Sequence, residues 1–578
     1  MCVRIFRKLF IKPSLNHSKM KPIKGLLIFS LLLILASCGK KAEEAKYIPK
    51  NASAVLIMNA QSLREKMKKA NVQLDTVLAK IFVNDSSDAK AKAVLKRVFD
   101  SAGIDWDKNL FTYVQQKSSM LNGTSTQIAF SLGLNDAEKF KQALVQAGKD
   151  SIAKTIESKE KYDALYLNEN TVLSWNKERA FISYYRNDRP VQFDSVNMKF
   201  TLPDPKKEAE AVAASVEAIY SLDKSASMQE LDAFNDMMKD PADAWLFSSS
   251  NGALASLSAS PLNLPGIENL LKDNYSTNTI HFTEGKIEGI SRLYPSPQMK
   301  SIFKKYAGPV VNTDMIKQFP GKVQGFTAAS FNPELIGAIL DELQLEELAG
   351  GFIRESGFTL QDFYQCIKGD ITVAFGDIAM KPISSDTSFK LSWPSGKLVL
   401  YAPVGNKQSF TKLMDSAVGR KWLQKRGNDY VPNELMEKIG LYIKANQDGI
   451  LMASDSATAV AFMQAKAKAT IDPAILEQAK GKSVAFYMDI SGIIGALRNN
   501  ATTPAYYDGL FSHVIATTDN FNGKAVEGKF EVVMNNKGEN SLVSIIKLMT
   551  GFAADMRKNN KQVLRESDSI RNIDLMTR

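Results

Sequence analysis

The feature that most constrains the fold is an order of sequence patterns that occurs twice. Ala54-Val55-Leu56-Ile57-Met58 is an apolar run of strand length. Helical spacing begins near Ser62, with Leu63 and Met67 four residues apart, and a second amphipathic stretch covers residues 77–98. Gly103-Ile104-Asp105-Trp106 leads to a strand-like run through Tyr113 and Val114. Ile128 to Leu132 predicts a strand. Asn135 predicts a helix cap, with Glu138 three residues on as in a capping box. Phe140, Ala143, Leu144 and Ala147 then share one helical face, and Gly148 supplies the stop. Leu165-Tyr166-Leu167 and Val172-Leu173-Ser174-Trp175 flank a turn at Asn168-Glu169-Asn170 and predict a hairpin. Another strand at Phe181 to Tyr185 precedes helices at residues 206–220 and 227–239, then Trp245-Leu246-Phe247 and the strand signal Gly285-Lys286-Ile287-Glu288-Gly289.

After Pro309 and Pro320 the order starts again. Val323 to Ser330 predicts a strand, and Leu335, Ile339 and Leu340 a helix. Gly357-Phe358-Thr359-Leu360 echoes Gly103 to Trp106. Phe410, Leu413 and Met414 after Asn406 repeat the spacing of Phe140, Ala143 and Leu144. Tyr442-Ile443 and Ile450-Leu451-Met452 around Asn446-Gln447-Asp448-Gly449 match the 165–175 hairpin. Val484 to Tyr487 matches Trp245 to Phe247, and Gly523 to Gly528 matches Gly285 to Gly289 with one insertion. Tandem duplication is the simplest cause of such an ordered set. Hairpins require antiparallel pairs, so the expected class is α+β: two tandem, related domains with mainly antiparallel sheets and helices packed on them.

Ahead of these patterns lies an N-terminal leader. Lys21 and Lys24 precede an apolar run from Gly25 to Ile34, then Leu35-Ala36-Ser37-Cys38. Basic, apolar and small residues in that order form a secretory signal peptide. The run is about half the roughly 20 residues a spanning helix needs, and charge resumes at Lys40, Lys41, Glu43 and Glu44. Cysteine after Leu-Ala-Ser resembles the bacterial lipobox. That resemblance implies cleavage before Cys38 and a diacylglycerol on its sulfur. Met20 begins a complete signal peptide by itself. The expected organisation is residues 1–37 as signal peptide, 38–46 as lipidated tether, and 47–308 as the first domain. A connection at 309–320, a second domain at 321–556 and a charged tail at 557–578 complete it.

Removal of the leader takes Arg4, Arg7, Lys8, Lys12, Lys19, Lys21 and Lys24 and no acid, so the formal charge falls from +11 to +4. Such a balance gives no reason to propose nucleic acid as a partner. Cys2 leaves with the leader and Cys38 is acylated, so Cys366 is the remaining thiol and no internal disulfide is expected. Its apolar neighbours Phe363, Tyr364 and Ile367 predict a buried, inert cysteine rather than a nucleophile.

Signals for chemistry are sparse. His281 and His513 sit among strand residues and read as ordinary edge or core histidines rather than metal ligands or an acid–base pair. No serine stands in a Gly-x-Ser-x-Gly elbow. Gly481-Lys482-Ser483 lacks the upstream glycine of a phosphate loop, with Leu476 in its place, and a strand follows, so it reads as a turn. Asp519 to Gly523 is a partial calcium loop whose terminal glutamate is replaced by Phe530, again a turn. No catalytic residue, cofactor or metal is indicated. One feature breaks the symmetry of the two passes. Tyr506, Tyr507 and Phe511 follow Pro504, where the first pass, from Pro261 to Tyr275, has leucines instead of an adjacent tyrosine pair. These rings are packing residues of a longer connection or an aromatic platform for a protein or glycan partner.

The lipobox, Tyr47-Ile48-Pro49-Lys50-Asn51-Ala52 and Lys368-Gly369-Asp370-Ile371-Thr372-Val373-Ala374-Phe375 resemble a Bacteroidetes family of envelope lipoproteins catalogued as a domain of unknown function. The resemblance implies a Gram-negative envelope, with the membrane as partner through the N-terminal lipid. Lys40 and Lys41 ahead of Glu43 and Glu44 favour the periplasmic side of the outer membrane over surface export. The expected role is non-enzymatic binding or scaffolding. The alternative is an envelope hydrolase acting on glycan through unselected Asp or Glu residues.

Overall fold

The computed structural model describes residues 42–69, 71–73, 77, 103–119, 123–148, 155–188, 192–194, 199–201, 205–258, 264, 266–355, 357–382, 392–433, 442–464, 468–497 and 509–549. Cys38, Tyr506, Tyr507, the rest of the 77–98 stretch and the 557–578 tail lie outside the described residues.

The first pass forms β1 (Ala54–Met58), α1 (Ala60–Lys68), β2 (Ile104–Asp105), β3 (Leu110–Ser119), β4 (Gly123–Leu134), α2 (Ala137–Gly148), β5 (Ile156–Ser158), β6 (Asp163–Tyr166), β7 (Thr171–Trp175) and β8 (Arg179–Asp188). A small ladder, β9 (Gln192–Asp194) and β10 (Lys199–Thr201), leads to α3 (Pro205–Tyr220), α4 (Asp232–Lys239), β11 (Ala244–Ser249), α5 (Asn251–Ser258) and α6 (Ile267–Leu271). The pass closes with β12 (Tyr275–Thr283), β13 (Lys286–Tyr294) and α7 (Pro297–Lys305). The second pass forms α8 (Asp314–Lys317), β14 (Val323–Ser330), α9 (Glu334–Glu342), α10 (Glu346–Arg354), α11 (Leu360–Cys366), β15 (Asp370–Pro382), β16 (Ser392–Pro403) and α12 (Lys407–Gly419). It continues with β17 (Leu423–Arg426), β18 (Asp429–Pro432), β19 (Tyr442–Ala445), β20 (Gly449–Ala453), α13 (Ser456–Met463), α14 (Pro473–Ala479), β21 (Val484–Asp489), α15 (Ile490–Leu497), β22 (Phe511–Thr518) and β23 (Val526–Met534).

Among the described residues every strand ladder is antiparallel. In the first pass the strands pair in the order β13-β12-β11-β1-β3-β4-β8-β7-β6-β5. In the second they pair in the order β23-β22-β21-β14-β15-β16-β20-β19-β18-β17. Separate sheets were the expectation. Instead β13 pairs with β23, from Lys286 opposite Val533 to Leu293 opposite Val526, and one sheet runs through both passes. The reason is physical: β13 and β23 carry no proline, and each would otherwise present a long row of unpaired backbone groups.

Helices pack on both faces of this sheet. Adjacent residues of a strand point to opposite faces. On β7, Leu173 enters a cluster with Leu63, Met67, Phe140 and Leu144 of α1 and α2, while Val172 packs with Val212 and Val216 of α3. In the second pass Ile450 packs toward Cys366, Phe410 and Met414, whereas Leu451 joins Phe326, Phe462, Ile475 and Tyr487. The helices that follow the seam strands cross it reciprocally. After β13, α7 packs against α9 of the second pass. After β23, helical residues 541–549 return to the first pass, placing Leu542 and Ile546 in the cluster of α1 and α2. Asn540 Nδ2 donates to Phe282 O at 3.0 Å and Gly285 N to Glu539 O at 2.9 Å, which fixes the crossing.

Three local readings are corrected. Asp136, not Asn135, caps α2: its Oδ1 accepts from Lys139 N at 2.9 Å, while Asn135 Nδ2 reaches Ile104 O at 3.4 Å. The hairpin at 442–453 is β19–β20, which occupies the sheet position of β7–β8 rather than that of the 165–175 hairpin β6–β7. Ile104, which pairs with Leu134, is matched in position by Ile367, which bridges Val404; Gly357 lies ahead of α11 instead.

Candidate functional site

The site with the most distinctive chemistry lies where residues 44–48 enter the body. Ala45 and Ile48 are fully buried and Tyr47 nearly so. They are held at the turn between β7 and β8, whose form follows from Asn176. Its Oδ1 accepts from the backbone N of Glu178 and of Arg179, both at 2.9 Å, and its own N donates to Arg179 O at 3.0 Å. This Asx turn aims Glu178 outward and Arg179 inward.

Arg179 is 0 % exposed. Its Nη1 donates to Asn109 O at 3.1 Å and to Ser131 Oγ at 3.4 Å, and its Nη2 lies 3.5 Å from Glu44 Oε1. The guanidinium stands over the Phe111 ring at 5.1 Å, a cation–π contact. Glu178 receives Lys46 Nζ at 2.5 Å and the Tyr47 hydroxyl at 2.7 Å. Those two donors, Lys46 first, hold its carboxyl below the usual range. A buried charge persists only when it is paired and hydrogen-bonded, and Glu44 supplies the paired charge for Arg179.

The second pass shows the same turn without the charge. Asn446 Oδ1 accepts from Asp448 N at 2.9 Å and Gly449 N at 3.2 Å, and Asn446 N donates to Gly449 O at 3.0 Å. Gly449 therefore stands where the first pass has Arg179. A Cβ there would collide with the Tyr401 ring, which takes the sheet position of Ser131. The segment ahead of β14 inserts Met315, Ile316 and Phe319, all buried and apolar. Ile316 and Phe319 pack with Phe326 and Leu451, so the segment ahead of the first strand is apolar in the second pass and carries an ion pair in the first.

Beside this seat lies a cavity of about 630 Å³ lined by Lys46, Tyr47, Tyr162, Glu178 and Tyr220, with Lys159, Lys161 and Lys177 at its edge. Tyr162 and Tyr220 stack at 4.5 Å with rings 7° apart, and Phe181 meets Tyr220 edge-on at 5.6 Å. Burial, aided by Glu217, pushes the Tyr162 hydroxyl up to about 12, and burial raises that of Tyr220. Both phenols stay neutral near pH 7; the Tyr220 hydroxyl donates to Ser174 Oγ at 3.1 Å and that of Tyr162 is bonded to Glu217, so the pair offers the cavity a rigid aromatic wall.

The residues singled out in the sequence do not converge here. His281 and His513 are half-buried on β12 and β22; Burial holds His513 below the usual imidazole range, and its ring lies 5.8 Å from Tyr487. Cys366 is buried at the end of α11, and burial pushes its thiol up to about 11. Gly481 to Ser483 is a turn with β21 behind it, and Asn522 closes the 519–523 turn by accepting from Ala525 N at 2.9 Å. Phe511 begins β22, and its carbonyl accepts from Ser491 Oγ at 2.8 Å. Glu44, Asn176, Glu178, Arg179 and Tyr220 were not anticipated. The available signal was the pair Asn176-Lys177-Glu178-Arg179 and Asn446-Gln447-Asp448-Gly449, alike in turn chemistry and unlike in the fourth residue. Among the described residues no group of three or more His, Cys, Asp or Glu side chains is placed to hold a metal ion, and no helix is long and apolar enough to cross a membrane.

Fold and site together define an α+β protein built on one open antiparallel sheet, with a charged seat for its N-terminal segment. The chain belongs to the family described as Domain of unknown function (DUF4836), which matches residues 45–542. No curated protein and no solved structure matches the chain.

Proposed function

We propose that the chain is a lipid-anchored envelope protein that binds or scaffolds a partner, held by an acylated Cys38 on the periplasmic side of an outer membrane. The observation that carries this reading is the seat. Six residues after Cys38, Glu44 is buried against Arg179, and Lys46 and Tyr47 are bonded to Glu178. A segment that serves only as a slack linker has no use for an ion pair in the body. A segment that transmits a membrane anchor to a folded body does. The body itself is read as two related α+β copies, at 47–308 and 321–556. This is supported by the matching pairing orders and the matching turns at Asn176 and Asn446. Phe511, with Tyr506 and Tyr507, remains the aromatic platform proposed for a protein or glycan partner.

The test is replacement of the anchor. Cys38→Ser should abolish incorporation of labelled palmitate and release the protein from the membrane fraction. A mutant that still takes up palmitate overturns the assignment of Cys38.

A further inference from the structure

The seat also decides which side of the body faces the lipid. Six residues reach at most about 20 Å when fully extended. Glu44 is fixed to Arg179, so the turns nearest that point cannot stand far from the bilayer surface. Those turns are β5–β6, with Lys159 and Lys161, and β7–β8, with Lys177. They edge the cavity of about 630 Å³ whose inner wall is Tyr47, Tyr162 and Tyr220, a volume suited to a small polar ligand.

The charges at this mouth are not all spent internally. Glu178 is held by Lys46 and Tyr47, Asp163 by Lys141 at 3.0 Å, and Lys159 by Glu157 at 3.0 Å. Lys161 and Lys177 are exposed and make no ion pair among the described residues; Glu138 is the lining acid that stands against them. The matched turns of the second pass are Arg426 to Asp429 and Asn446 to Gly449.

We infer that this face lies on the membrane and that Lys161 and Lys177 bind the phosphates of phospholipid headgroups at the mouth of the tyrosine-walled cavity. The inference rests on the lipid-anchor reading and adds an orientation and a ligand class to it. Anchor and headgroup contacts then act together: the acyl chains raise the local concentration of headgroups, and the lysines turn a flexible attachment into a fixed one.

The experiment uses the full lipidated chain in vesicles of phosphatidylethanolamine and phosphatidylglycerol. A fluorophore is attached through Glu160→Cys, which leaves Lys161 and Lys177 in place, or through Arg426→Cys on the matched turn, since Cys366 is buried. With a nitroxide on the lipid headgroup, position 160 should lose most of its emission and position 426 should lose none. Adding Lys161→Glu and Lys177→Glu should restore much of the emission at 160 while the protein still sediments with the vesicles; unchanged quenching in that variant overturns the headgroup contacts. Equal quenching at both positions, or none at 160 in sedimented protein, overturns the inference and leaves the anchor intact. Protein that fails to sediment overturns the anchor reading, and the inference with it.

Discussion

Glu44→Gln tests the seat with one atom changed. In the native protein the Arg179 side chain is 0 % exposed and that of Glu44 9 % exposed. The amide keeps the shape and can still accept one hydrogen bond, but Arg179 loses its paired charge and retains Asn109 O and Ser131 Oγ. Removing one partner of a buried pair outright costs about 3–5 kcal/mol, so the amide should cost about 2–3 kcal/mol. Arg179→Met removes the buried charge and fills its volume. Glu44, on a terminal segment, can then turn toward water, and the cost should be nearer 1 kcal/mol, as for other swaps of a buried ion for an apolar side chain. The double mutant should be little worse than Arg179→Met, giving a coupling energy of about 2 kcal/mol in the cycle. Urea unfolding measures the free energies. Amide hydrogen exchange of residues 44–52 shows whether the segment opens first. A Glu44→Gln protein within about 0.5 kcal/mol of wild type, the range of ordinary surface changes, refutes the argument that Glu44 balances Arg179.

Further expectations follow from the packing and the titrations. Leu542→Ala should destabilise by about 2–4 kcal/mol, and the loss should appear as faster amide exchange in α1 and α2 of the first pass, because Leu542 packs there. Exchange changes confined to the second pass would contradict the reciprocal crossing. A chain ending at residue 308 lacks both that side chain and the β13 partner strand, so it should aggregate when expressed alone; a soluble, cooperatively unfolding fragment would show that the seam is dispensable. Cys366 should resist a bulky thiol reagent at pH 8 until the protein unfolds, since its thiol is buried and titrates near 11. Rapid labelling of native protein would reopen its role. Asp362 is held down to about 2, first by Lys412 and then by Thr359. The unfolded carboxyl takes its proton near 4 while the folded one resists until about 2. That contribution is complete above the unfolded value and lost as pH falls between them. Asp362→Asn should flatten this part of the pH–stability curve; an unchanged slope would dismiss the Lys412 pair.

The elements that the sequence made legible are those whose signals are local. Helical spacing at Phe140 and Leu144, and at Phe410 and Met414, recovers α2 and α12, and apolar runs recover β1, β11, β14 and β21. Caps were less secure because Asn135 and Asp136 are adjacent and either can accept from the first turn. The hairpin match slipped by one strand for a related reason. Asn168, Asn176 and Asn446 each accept a backbone N–H two residues on, so turn chemistry alone cannot say which two turns correspond. Pairing does, since β8 and β20 are the strands that join β4 and β16. The seam and the seat were illegible because they join residues far apart in the chain. Arg292 meets Glu527 at 2.8 Å across 235 residues, and Arg179 meets Glu44 across 135. No periodicity encodes such a meeting. An arginine opening an apolar strand was the trace left in the sequence, and its counterpart Gly449 shows that the strand does not need it.

The lipid anchor stands or falls on what precedes the seat. The mass of the N-terminal peptide of the protein isolated from membranes measures it directly. The prediction is a chain that begins at Cys38 and carries diacylglycerol on that residue. An N-terminus at Met1 or Met20, or an unmodified Cys38, would contradict the lipid anchor and the orientation built on it.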